Sequence, residues 1–178
     1  YTLTLAGFLL LGGSLGDHYG RRKVFVIGVV WFAAASLLCG LAPTDEALIA
    51  ARALQGVGGA LLTPGSLAII EASFRREDRA PAIGAWSGVT GLAVALGPLA
   101  GGFLLEHFWW GSVFLVNLPI VAVALVAGWR LLPTSRDHHA GRPDPVGAIT
   151  SIAMISLLVW TVIEAPDNMT VARVSAEL

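Results

Sequence analysis

The chain has 178 residues, of which 56% are hydrophobic and 13% charged, with 21 glycines and a formal net charge of -1. A soluble domain of this length needs more surface charge, so the composition excludes a water-solvated globule and points to lipid as the solvent. The cations sit in clusters at breaks between apolar runs and are not spread over a face, so no nucleic-acid partner is expected.

A spanning helix needs about 20 mostly apolar residues. Six segments fit that requirement, at 1–15 (short at its start), 24–41, 47–73, 80–105, 112–132 and 146–164. The expected fold class is therefore an all-α polytopic membrane protein with six transmembrane helices. The longest connection, 133–145, reads as a linker with Arg136, His138, His139 and Arg142, and 165–178 reads as an external polar tail. Adjacent histidines without a spaced third ligand make no metal site. The chain opens inside an apolar run with no basic leader, so a preceding helix is expected and a cleavable signal is not. Cys39, the single cysteine, reads as a small packing residue.

Topology follows from the cations. Arg21, Arg22 and Lys23 occupy the first turn, Arg75, Arg76 and Arg79 the third, and Arg130, Arg136 and Arg142 the fifth. The second and fourth turns have none. This alternation predicts that the turns at 16–23, 74–79 and 133–145 are cytoplasmic, with Trp109 and Trp110 in an outer interfacial belt.

The first turn carries more than charge. It reads Gly13-Ser14-Leu15-Gly16-Asp17-His18-Tyr19-Gly20-Arg21-Arg22-Lys23. Gly13 is expected to let another helix approach, and Gly20 to take the positive φ of a tight reversal. Asp17 with the three cations is expected to form a polar latch. Gly13, Leu15, Asp17, Gly20, Arg21 and Arg22 resemble, in register, the signature loop between the second and third helices of the major facilitator superfamily. His18 stands where that family usually has arginine.

In the third span, Arg52, Gly56, Gly59 and Thr63 share a helical face, which places an arginine above a groove of small residues. An arginine in a span costs at least ~2.5–3.5 kcal/mol on insertion scales, so it faces a partner or a wet cavity. Snorkelling is the other reading, since Arg52 lies about 7–9 Å below the outer end at 1.5 Å per residue. Arg52 followed by Gln55-Gly56 resembles the fourth-helix motif of proton-coupled facilitators, which implies a role for Arg52 in proton coupling. Pro64-Gly65 predicts a kink or local unwinding, relieved by packing or by the Thr63 hydroxyl. Glu71 reads as a surface partner for Arg75-Arg76.

In the fourth span, Gly84, Gly88, Gly91, Ala95, Pro98 and Gly102 recur at steps of four and three, a stripe that suits close helix packing. Gly88 with Gly97-Pro98-Leu99-Ala100-Gly101-Gly102 is similar to the antiporter motif of the fifth facilitator helix, which implies exchange of substrate for protons. The run from Trp109 through Asn117 to Pro119, and Asp144-Pro145 as a helix start, loosely resemble the sixth and seventh helices of the fourteen-helix drug:proton antiporters.

The resemblance covers nearly the whole chain. It implies a partial major facilitator bundle, with residues 1–132 as a half-bundle (helices two to six) and 146–164 as the seventh helix. The implied function is proton-coupled drug efflux by alternating access in the plasma (inner) membrane. The implied partners are the bilayer, a small lipophilic or cationic substrate, protons and the remainder of the transporter. No cofactor and no enzymatic step are expected. The alternatives are a sugar or metabolite symporter, or a truncated membrane fragment that does not transport.

Overall fold

The computed structural model describes the backbone of residues 1–131 and 145–176, with side-chain surroundings described for 1–130, 146, 147 and 149–162. Most of the expected linker, with Arg136, His138, His139, Arg142 and Asp144, lies outside the described residues. So do the side chains of Glu164 and the expected tail.

Among the described residues seven helices follow in order: α1 (Thr2–Tyr19), α2 (Arg21–Gly40), α3 (Asp45–Ser73), α4 (Arg79–His107), α5 (Ser112–Leu115), α6 (Asn117–Leu131) and α7 (Pro145–Ala176). Among the described residues α2, α3, α4 and the run Ser112–Arg130 are long and apolar enough to cross a membrane. The other two expected spans are helical but fall short of that mark. α1 carries Asp17 and His18 in its last turn, and the apolar stretch of α7 is Ile149–Val162. α7 also continues as helix past Glu164 to Ala176, where the sequence reading ends the span.

Two boundaries differ for identifiable reasons. The first turn, expected over 16–23, is a single residue, Gly20, with φ 103° and ψ 123°. Its N–H donates to Gly16 O and its carbonyl accepts from Val24 N, both at 3.0 Å, so one residue closes α1 and opens α2. The fifth span breaks between α5 and α6 at Val116. Pro119 has no N–H for the Leu115 carbonyl and its ring crowds that oxygen, so the ladder is interrupted four residues before the proline.

α3 is the centre of the bundle. It packs against α1 on one side and α2 on the other; α7 lies on α1 and α6 on α2. Thr44 caps α3, its hydroxyl accepting from Ala47 N at 3.2 Å, with Asp45 and Glu46 in the first turn where the helix dipole favours acids. Glycines set the approach distances. A Cβ on Gly58 would lie 3.0 Å from the Phe32 backbone of α2, and one on Gly28 would lie 2.8 Å from Leu61 of α3. Gly56 faces Tyr1 and Thr4 at the start of α1, and Gly59 faces Leu5. The small-residue groove below Arg52 is thus filled by α1.

Two packing expectations are corrected, and a third meets no partner among the described residues. The close approach of α1 to α3 belongs to Gly12, not Gly13. A Cβ on Gly12 would collide with the Ala60 carbonyl, whereas one on Gly13 would lie in ordinary contact, 3.6 Å from Pro64. The local unwinding expected at Pro64 is absent, since α3 is continuous from Asp45 to Ser73 with the proline inside it. The Thr63 hydroxyl donates to Gly59 O at 3.0 Å, so it does not serve Ala60, whose carbonyl Pro64 leaves without its helical donor. That freed carbonyl is the one Gly12 covers.

The third concerns α4, which among the described residues touches only α3 and α5, its neighbours in sequence, and has no buried residue. A Cβ on Gly84, Gly88, Gly91, Gly97, Gly101 or Gly102 would meet nothing within 4 Å. The stripe on α4 therefore packs against no helix among the described residues. Pro98 sits inside the helix without ending it. Large apolar side chains such as Leu92, Leu99, Val123 and Trp129 stay exposed across the surface, as a bilayer solvent allows and water does not.

Candidate functional site

The first expected site is the basic turn. Arg21 donates from Nε to Asp17 Oδ1 at 3.0 Å and pairs with the same oxygen through Nη2 at 2.9 Å, one helical turn apart across Gly20. It is the only ion pair among the described residues. Half exposed, such a pair contributes about 0.2–1 kcal/mol, too little to hold helices alone.

The longer reach matters more. Arg21 Nη1 donates to Ala68 O at 3.2 Å, near the end of α3, and Arg22 Nη2 donates to Trp129 O at 2.6 Å, near the end of α6. The Trp129 carbonyl has no helical donor available, because the residue four positions on is Pro133. Two arginines of one turn thus reach the negative dipole ends of two other helices, where cations are favoured. Gly13, Asp17 and Arg21 also line a cleft of ≈ 260 Å³ with Pro64 and Glu71 of α3. Glu71, expected to pair with Arg75-Arg76, is exposed and makes no ion pair.

Gly20 is the weak point of this arrangement, since its backbone region is closed to residues with a Cβ. Gly20→Ala is expected to lower the stability of the membrane-embedded protein by about 1–3 kcal/mol. A thermal unfolding curve in detergent checks this, and an unchanged midpoint would contradict it.

The second site is Arg52, and the structure surrounds it with more than the sequence suggested. Its Nη1 donates to Gln55 Oε1 at 2.7 Å. The guanidinium lies over the Tyr1 ring at 4.6 Å and the Phe114 ring at 5.4 Å from the centroids. Gln55 Nε2 donates to Ser36 Oγ of α2 at 2.8 Å, and the Cys39 thiol donates to Gln55 Oε1 at 3.9 Å. Gln55 is 1% exposed, and Ser36 and Cys39 are 0% exposed. The amide thereby links a half-buried cation to the α2–α3 interface. Of the two readings left open for Arg52, the geometry favours partners within the bundle over snorkelling.

Ser36 and Cys39 were missed as members of this group. Their signal is spacing: positions 36 and 39 share a face of α2, but only the register against α3 places that face at Gln55.

The third expected group, Gly88, Gly97, Pro98, Gly101 and Gly102, is not brought to either site. These residues lie on α4, away from the bundle. Trp109 and Trp110 meet edge-on at 6.2 Å, and Trp110 meets Phe114 at 6.2 Å, which joins the pair to the ring beneath Arg52.

Residues 1–171 match the sequence model of the Major Facilitator Superfamily. The chain belongs to that superfamily. The facilitator is 45% identical over 178 residues to the multidrug efflux pump LfrA of Mycolicibacterium smegmatis, covering 99% of this chain and 35% of that protein. It is 40% identical over 167 residues to the tetracenomycin C resistance and export protein of Streptomyces glaucescens, covering 93% of this chain and 31% of that one. A crystal structure of a peptide transporter superposes with a TM-score of 0.64 at 17% identity, over 94% of this chain and 37% of that one, a likeness of fold. The facilitator chain spans about a third of the length of the curated relatives it matches. It is an integral membrane protein with a partial facilitator bundle.

Proposed function

We propose that this chain is part of a multidrug efflux transporter that exchanges a lipophilic or cationic substrate for protons by alternating access. Kinship with proteins named as efflux pumps and resistance proteins supports the export reading. The structural observation that carries the mechanism is the seating of Arg52 among Gln55, Tyr1 and Phe114. A fixed cation in a low-dielectric groove shifts the protonation of nearby acids, and rings beside it suit flat lipophilic cations.

The alternating cations support a cytoplasmic side for the turns at Gly20 and 74–79. There Asp17, Arg21 and Arg22 tie the ends of α1, α2, α3 and α6 into one block. Such a block can rock as a rigid body against a second half-bundle, which gives alternating access about a midplane site. The open face of α4, with Gly88, Gly97, Pro98, Gly101 and Gly102, is where that second half would pack. No bond is made or broken, so the protein is not an enzyme.

The test is expression of the full-length transporter in bacteria stripped of their own efflux pumps. Raised tolerance to lipophilic cations, with lower steady-state dye content that an uncoupler restores, is the expected result. Unchanged tolerance and dye content at normal expression would overturn the reading.

A further inference from the structure

At the end of the bundle that holds Gly20, two hollows open on α6, one lined by Trp129 and the other by the next residue, Arg130. One, of ≈ 260 Å³, is lined by Arg22, Lys23, Val26 and Trp129. The other, of ≈ 470 Å³, is an apolar furrow lined by Ala122, Val123, Val126, Ala127 and Arg130. Neither is lined by a carboxylate, and the one ion pair among the described residues, Arg21 with Asp17, lies outside both. Lys23 and Arg130 are exposed, and the Trp129 ring is 74% exposed beside them. Arg22 uses one nitrogen on Trp129 O, which fixes its guanidinium at this spot and leaves its other N–H groups available.

The two hollows differ in chemistry. Three cations and an amphipathic ring stand at the end of the span, and small side chains open a furrow that runs from them into the span. A free anion would have no use for the furrow, and a neutral alkyl chain no use for the cations. We infer that this corner binds one anionic phospholipid, its phosphate between Arg22, Lys23 and Arg130, its glycerol edge on Trp129 and an acyl chain along the Ala122–Ala127 furrow. Basic hollows between membrane helices recognise such headgroups, at about 1 kcal/mol per cation, and a tryptophan ring prefers headgroup level. Because Arg22 also hydrogen-bonds across from α2 to Trp129 O of α6, the lipid would clamp that bond. The inference needs only a membrane-embedded chain and does not depend on drug export.

Native mass spectrometry of the purified full-length transporter, titrated with phosphatidylglycerol against a phosphatidylcholine background, tests it. Lys23→Gln with Arg130→Gln is expected to weaken phosphatidylglycerol binding roughly 25-fold, at about five-fold per cation. Ala127→Phe, which fills the furrow without touching charge, is expected to weaken it by several fold. Arg75→Gln with Arg76→Gln removes equal charge at another turn of the same end and is expected to leave it unchanged. Equal binding of phosphatidylcholine, or competition by inorganic phosphate, would overturn the inference. So would wild-type binding by the Lys23/Arg130 variant, or an equal loss in the Arg75/Arg76 variant. Unchanged elution and melting of each variant show that the loss is of lipid and not of fold.

Discussion

Gly12→Ala is expected to destabilise the full-length transporter by about 3 kcal/mol, while Gly13→Ala beside it is expected to be neutral or slightly stabilising. The difference is one of register. A methyl on Gly12 points at the Ala60 carbonyl oxygen and lies 2.9 Å from its carbon, with Leu61 Cα at 3.3 Å. These are backbone atoms of a continuous helix and cannot swing aside as a side chain can. α1 would have to lift from α3, opening the packing at Gly56 and Gly59 as well. It would also uncover the carbonyl that Pro64 leaves without a donor. At Gly13 the nearest atom is Pro64 Cβ at 3.6 Å, an ordinary contact, and alanine improves helix propensity by up to about 1 kcal/mol. Thermal unfolding of the two variants in the same detergent gives the comparison. Equal midpoints would mean that the α1–α3 contact is not as described.

Arg52→Ala is expected to reduce gradient-driven transport by roughly 10- to 100-fold with membrane expression unchanged. The guanidinium makes one charge-assisted hydrogen bond, worth ~1.5–3 kcal/mol, and any state that depends on it loses about that factor in population. Arg52→Lys keeps the charge but loses the planar face that lies over Tyr1 and Phe114, so an intermediate rate is expected. Gln55→Leu provides the control. It removes the acceptor of Arg52 and the donor to Ser36 while leaving the charge in place. If Gln55 acts by holding Arg52, the double variant is no slower than Arg52→Ala alone. Dye uptake into everted vesicles under an imposed proton gradient reads all four proteins. Wild-type rates in Arg52→Ala would reduce that residue to packing.

These two predictions mark what the sequence could and could not reveal. The order of the helices follows from apolar length, although Val116 splits the fifth span, and the Gly20 turn and the Asp17–Arg21 pair follow from local spacing, because those contacts lie within four residues. Arg52 with Gln55 is equally local, at i and i+3. Gly12, Ser36 and Cys39 are different. Each matters because of what a distant helix places opposite it, and inter-helix register is not encoded in any one segment's periodicity. Gly13 looked like the contact because it belongs to the motif, but one position turns a residue about 100° around a helix axis. The reach of Arg22 to Trp129 was hidden for the same reason, although Pro133 already marked a carbonyl without a helical donor. The stripe on α4 is the converse case. Its periodicity is plain, yet no described helix covers it, so the sequence gives the face without the partner.

The central claim is exchange, with substrate and proton crossing in opposite directions. The direct measurement is proton flux in proteoliposomes containing the full-length transporter, acidic inside, on addition of a lipophilic cation outside. The account predicts that the cation accumulates inside while protons leave, and that the pH gradient collapses faster with substrate than without it. Cation uptake with no proton movement, or protons moving in the same direction as the cation, would contradict it.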